Sequence, residues 1–295
     1  QQSAACRRCR LTPGHQGPAE AAAGRAYDPF MDPELSRQGL LSDMGRATLR
    51  WFVGWWRIIR LGAILLVLAL SPSTYRRANR AAMARHFYLD TAPVLLWFTL
   101  LSSLIGLVVI RIVVVTAISY GLSQYALQMV VRVLVLELIP LTAAIFVALR
   151  ISLPNGEDIA HMRAQGELES LRQGELLRQE VLPRVLAGAF SVLMLAAVAS
   201  VVTLVLAYLT VHGFASGALQ SYTRTVGQVF SPAITLIFTA KTLLLSLAVS
   251  LLPVASALYD LPRTRSRTSA ELQALVRLFL VILLIEAASL VGNYY

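Results

Sequence analysis

Apolar positions along this chain run in long blocks and do not alternate. The blocks lie at about 91–118, 122–153, 182–212, 229–258 and 270–291. At about 1.5 Å rise per residue, each exceeds the roughly 20 residues that cross about 30 Å of hydrocarbon. The pattern predicts five spanning helices. Little more than Tyr120-Gly121 separates the first two, so they are expected to form a tight antiparallel hairpin.

Before these blocks, residues 44–60 have a different periodicity. Arg46, Arg50, Arg57 and Arg60 fall on one helical face and Trp51, Trp55 and Ile58 on another. Arginine reaching phosphates beside tryptophan at headgroup level predicts a helix lying in the membrane interface. It continues into Leu61–Leu70 and ends at Ser71-Pro72-Ser73. A first transmembrane helix from Trp51 to Leu70 is the alternative. Arg76, Arg77, Arg80 and Arg85 make the stretch up to residue 90 a basic connector. Residues 1–43 lack an apolar core and any signal-peptide-like run, and are expected to be a disordered basic tail. The expected division is therefore 1–43, 44–90 and a five-span domain at 91–295.

Composition agrees with a membrane protein: 57% of the 295 residues are hydrophobic and 14% charged, against about 25% charged in soluble domains. The net charge is +10, almost all from arginine, and Lys241 is the single lysine. In such a chain basic excess reports topology and anionic headgroups, and nothing in the sequence points to nucleic acid. The basic clusters lie in the N-terminal region and at Arg263, Arg265 and Arg267, whereas the 213–228 loop holds only Arg224. The positive-inside rule then places the N-terminus in the cytoplasm and the C-terminus outside. Cys6 and Cys9 have no second ligand pair at zinc spacing, so no metal site is expected.

Arg111, Arg132, Glu137, Lys241 and Glu286 all fall within the predicted spans. Each costs several kcal/mol in hydrocarbon, roughly 2.5–3.5 on insertion scales, so such residues face an interior or a partner. Two readings stand side by side. Glu286 pairs with Arg111 or Arg132 and Glu137 with another cation, tying helices together; or the cations line a cavity that takes an anionic headgroup. Arg150, near the end of its block, belongs with Glu286 among structural pairing candidates. Pro140, three residues after Glu137, predicts a kink at the same place. The 154–180 loop carries Glu157, Asp158, Arg163, Glu167, Glu169 and Arg172, and reads as one or two surface helices. They are either merely solvated or a docking element for a cytoplasmic protein.

Several runs are similar to one family. Leu136-Glu137-Leu138-Ile139-Pro140 is followed by Ala143-Ala144 and by Ala148-Leu149-Arg150; Asp158 precedes Met162-Arg163-Ala164; Pro183-Arg184 leads to Ala187-Gly188; and Lys241 and Tyr259-Asp260 come later. In this order they resemble the MlaE-type permeases of Mla/MCE-family ABC lipid transporters, over roughly residues 45–292. Ile139 and Leu149 stand where that family has glycine, and its Val-Asp-Pro before the third span is absent.

The resemblance implies an all-α membrane fold with an N-terminal elbow helix and five spans. It implies a non-catalytic permease in an inner membrane, working as a homodimer with a cytoplasmic ABC ATPase and a periplasmic MCE-domain ring. ATP and Mg would bind the ATPase, and no cofactor this chain. Phospholipid would pass near Arg111, Arg132, Glu137 and Lys241, while Glu157, Asp158, Arg163, Glu167, Glu169 and Arg172 would serve coupling. The sequence has no phosphate-binding loop of its own. A membrane scaffold or receptor, or a lipid-modifying membrane enzyme, are the rival classes.

Overall fold

The computed structural model describes residues 33–71, 77–166, 177–214, 216–259 and 267–294. Cys6, Cys9, Glu167, Glu169, Arg172, Arg263 and Arg265 lie outside them. Two units divide the chain, Gln1–Trp51 and Phe52–Tyr295. The described residues are helical and contain no strand.

The helices are α1 (Pro33–Leu70), α2 (Arg77–Ser119), α3 (Ser123–Val130), α4 (Ile139–Val147), α5 (Leu153–Ala164), α6 (Leu182–His212), α7 (Leu219–Val229), α8 (Pro232–Tyr259) and α9 (Arg267–Tyr294). Wide π-helical turns, Val131–Leu138 and Ala148–Ser152, join α3, α4 and α5 into one rod. The stretch Tyr125–Ala164 of that rod is one of six segments long and apolar enough to cross a membrane. The others are Phe52–Leu70, Thr91–Ser119, Leu182–His212, Pro232–Tyr259 and Leu272–Gly292. Five match the predicted spans within a few residues, except that the second helix runs on past Leu153 through α5. The sixth is the segment expected in the interface.

Glycine makes the α2–α3 turn possible. Gly121 sits at φ +72°, where an L side chain would be strained. The amide of Leu122 closes the turn on Ala117 O at 2.8 Å.

Proline placement shapes the rod. Pro140 and Pro154 each occupy the first turn of an α-helical segment that follows a π turn. A proline there lacks a donor the preceding wide turn does not supply with an ordinary partner, so the helix continues where a regular one would break.

Small residues set the packing around α8. A Cβ on Gly188 of α6 would lie 3.0 Å from Ser250 Cβ, and one on Gly156 of α5 would lie 3.1 Å from Pro253 O. A Cβ on Gly62 of α1 would meet Leu251 Cδ2 at 2.8 Å. Such close approaches replace the hydrophobic drive that is missing between helices in lipid. Three buried hydroxyls of α8 bond within their own helix: Thr242 donates to Phe238 O, Ser246 to Leu243 O and Ser250 to Ser246 O. Between α2 and α6 the hydroxyls of Thr91 and Ser191 bond at 2.7 Å. Leucine, isoleucine and valine meanwhile cover the outer faces, among them Leu104, Val108, Ile112, Leu272, Val276 and Leu283. That exterior suits hydrocarbon and not water.

Candidate functional site

Lys241 is the best-buried charge in the bundle. Its side chain is 2% exposed, against 18% for Glu137 and 15% for Glu286. The ammonium forms ion pairs with Oε2 of Glu137, on the π turn, and with Oε2 of Glu286, on α9, the latter at 2.5 Å. It also donates to Leu136 O at 3.4 Å. That carbonyl lies four residues before Pro140, whose missing N–H would be its regular helical donor. Proline, lysine and two glutamates thus form one arrangement across three helices.

Glu286 is placed differently from the sequence expectation. It pairs with Lys241 and not with Arg111 or Arg132, because α9 packs directly on α8. Its Oε1 is buried without a hydrogen-bond partner. Arg111 lies on the exposed face of α2 and Arg150 on the exposed side of its π turn. Neither has an ion-pair partner among the described residues. Arg132 is half-buried on the π turn, with its Nε buried and unbonded.

An open groove of about 570 Å³ lies along the exposed face of α8, opposite the buried Lys241, and is lined by Phe230, Pro232, Thr235, Leu236, Thr239, Ala240 and Leu243. Thr235 Oγ1 donates to Ser231 O at 3.0 Å and Thr239 Oγ1 to Thr235 O at 2.8 Å. With their hydroxyls engaged by their own helix, these threonines leave the groove wall apolar.

At the α5 end of the bundle, Glu157, Asp158 and His161 are exposed while Gly156 and Ile159 are buried. Arg163, expected among the coupling residues, donates from Nη1 to Ala257 O in the last turn of α8 at 3.1 Å. Arg184, opening α6, pairs with Glu180 at 3.3 Å. At the other end α7 was not foreseen, since the 213–228 stretch reads as a loop. Its Tyr222 is held by a bond from Oη to Leu204 O at 2.7 Å and by ring contacts with Tyr208 and His212. Burial pushes the Tyr222 phenol up to about 12. Tyr222, Val226 and Val229, at helical spacing, were the signal available in the sequence.

A polytopic helical bundle with an ion triad in its apolar interior has a functional interior and is not a plain lipid anchor. The family model described as permease MlaE matches residues 83–291, and the chain belongs to that family. It is a multi-pass membrane protein and a permease subunit of an ABC-type lipid transporter. A comparison with curated proteins gave no match.

Proposed function

We propose that this permease moves phospholipid between an inner membrane and a periplasmic MCE-protein ring, as one of two identical copies and without catalytic residues of its own. A cytoplasmic ABC ATPase binds ATP and Mg and docks beneath 154–180. The observation that carries the reading is the apolar groove along the exposed face of α8, the helix whose buried face carries Lys241 of the triad, in a chain of the permease MlaE family. An acyl chain fits the methyl-lined wall, and the unbonded Nε of Arg132 offers a guanidinium donor suited to phosphate.

In this reading the N-terminus is cytoplasmic, the C-terminus periplasmic, and 44–70 an elbow helix in the inner leaflet. Three features favour the elbow. Arg57 and Arg60 are exposed, the connector after it is basic, and Gly62, mid-segment, meets Leu251, about 8 Å from the midpoint of α8 toward its α5 end.

Reconstitution tests the function. The permease with its ATPase and MCE partner in proteoliposomes is expected to transfer NBD-labelled phosphatidylethanolamine in an ATP-dependent way. Equal transfer with and without ATP would sink the proposal.

A further inference from the structure

We infer that Arg163 is a positioning residue that makes α5 and the cytoplasmic end of α8 one mechanical unit, so that displacement of α5 reaches Lys241. The inference rests on the transport reading above. It starts from one face of α5. Gly156, Ile159 and Arg163 follow an i, i+3, i+7 spacing, which places them on one side of the helix.

Each of the three holds α8 or the core in a different way. Gly156 lets α5 approach the Pro253 carbonyl, to 3.1 Å for an added Cβ. Ile159 is 1% exposed in the main core. Arg163 donates to Ala257 O at 3.1 Å, in the last turn of α8, where helix carbonyls lack intrahelical donors. Its positive charge also sits at the negative end of the α8 dipole. The opposite face of α5, with Glu157, Asp158 and His161, is left outward.

The rod therefore grips α8 twice. Glu137 meets Lys241 inside the bundle, and Arg163 meets Ala257 at its end. The π turn Ala148–Ser152 with Pro154 lies between the two grips, and such features are where helices bend. Beyond that π turn, α5 is held to α8 through Gly156 and Arg163. A push on α5 is thereby delivered to α8, the helix that carries the triad lysine.

Arg163→Met, which keeps the aliphatic stem but no donor, and Arg163→Lys, which keeps one, test this in the reconstituted complex. The Met variant is expected to retain its ATPase subunit and its ATP hydrolysis. Labelled phosphatidylethanolamine moved per ATP falls by roughly tenfold, the scale of one charge-assisted hydrogen bond. The Lys variant recovers much of that ratio. On the permease alone, hydrogen exchange of the α5 amides is expected to accelerate in the Met variant. An unchanged lipid-per-ATP ratio, equal losses in Met and Lys, loss of the ATPase subunit, or unchanged α5 exchange would each overturn the inference. A wild-type complex that moves no lipid overturns the transport reading instead, and the exchange measurement still reads the tether.

Discussion

Pro140 and Lys241 converge on one backbone carbonyl. Leu136 O, four residues before the proline, accepts a hydrogen bond from the lysine ammonium on another helix. The same ammonium pairs with Glu137, the next residue along. A defect in one helix is thus matched by a charge from its neighbour, and the match sets their register.

Pro140→Ala should separate stability from function. Alanine restores an N–H where proline has none, and an interior proline costs a helix about 3 kcal/mol. The wide turn and the Lys241 contact offset part of that cost here. Thermal unfolding of the purified variant in detergent is expected to rise by a few degrees while ATP-driven lipid transfer drops. A variant that gains stability and transfers lipid normally would show that the wide turn is dispensable.

Lys241→Met tests how the triad holds three helices. It leaves two carboxylates buried beside each other with no cation. Breaking a buried ion pair from one side costs about 3–5 kcal/mol. The variant is expected to lose most of its folded yield, and Lys241→Met with Glu137→Gln and Glu286→Gln to recover it. Glu286→Gln alone leaves a one-to-one pair and should be near neutral for stability. Detergent melting curves of the four proteins decide the order.

Much of this was legible in the sequence, and the gaps have physical reasons. Block length alone located the spans, because hydrocarbon thickness fixes helix length. The charges Glu137, Lys241 and Glu286 were visible as costly residues, but their partners were not. The sequence suggested Arg111 or Arg132 for Glu286, whereas pairing depends on which helices are neighbours. The continuation of the second helix into α5 was hidden by Pro154, since a proline ordinarily marks a boundary and a π turn accommodates it. Arg163 was visible as a loop charge and in a family run, but its bond to a backbone carbonyl leaves no trace in residue pattern. Helix α7 was missed because an eleven-residue helix with mostly polar exposed positions looks like a loop.

Two glycines against α8 should respond differently to alanine. At Gly62 the new Cβ meets the tip of Leu251, a flexible side chain that can turn away. At Gly156 it meets the carbonyl oxygen and carbon of Pro253 at 3.1 and 3.2 Å, which are backbone. Overpacking against atoms that cannot move costs about 1–3 kcal/mol. Gly156→Ala is therefore expected to melt clearly below wild type and Gly62→Ala close to it. Equal melting temperatures would contradict the packing described.

Tyr222 gives a pH signature outside the spans. Its phenol is raised from 10.0 to about 12 because the neutral form is buried. A group whose folded pKa lies above its unfolded one contributes stability that is complete below about pH 10 and lost as pH climbs toward 12. Local opening of α7 should thus begin above pH 10, read as phenolate absorbance or faster amide exchange in 219–229. Tyr222→Phe should abolish that step at a cost near 1 kcal/mol for the lost bond to Leu204 O.

The outward acids of α5 provide the test of docking. Glu157 and Asp158 are exposed, away from the face that meets α8, so reversing them leaves the packing of Gly156, Ile159 and Arg163 untouched. Surface reversals of this kind change folding by about 0.5 kcal/mol or less. Opposed like charges at an interface, by contrast, cost several kcal/mol of affinity. Glu157→Arg with Asp158→Arg is accordingly expected to melt as wild type and to lose its ATPase subunit on affinity purification. Binding should return when complementary acids are placed on the ATPase. Retention of the ATPase by the doubly reversed permease, with normal lipid-stimulated hydrolysis, would move the contact away from α5.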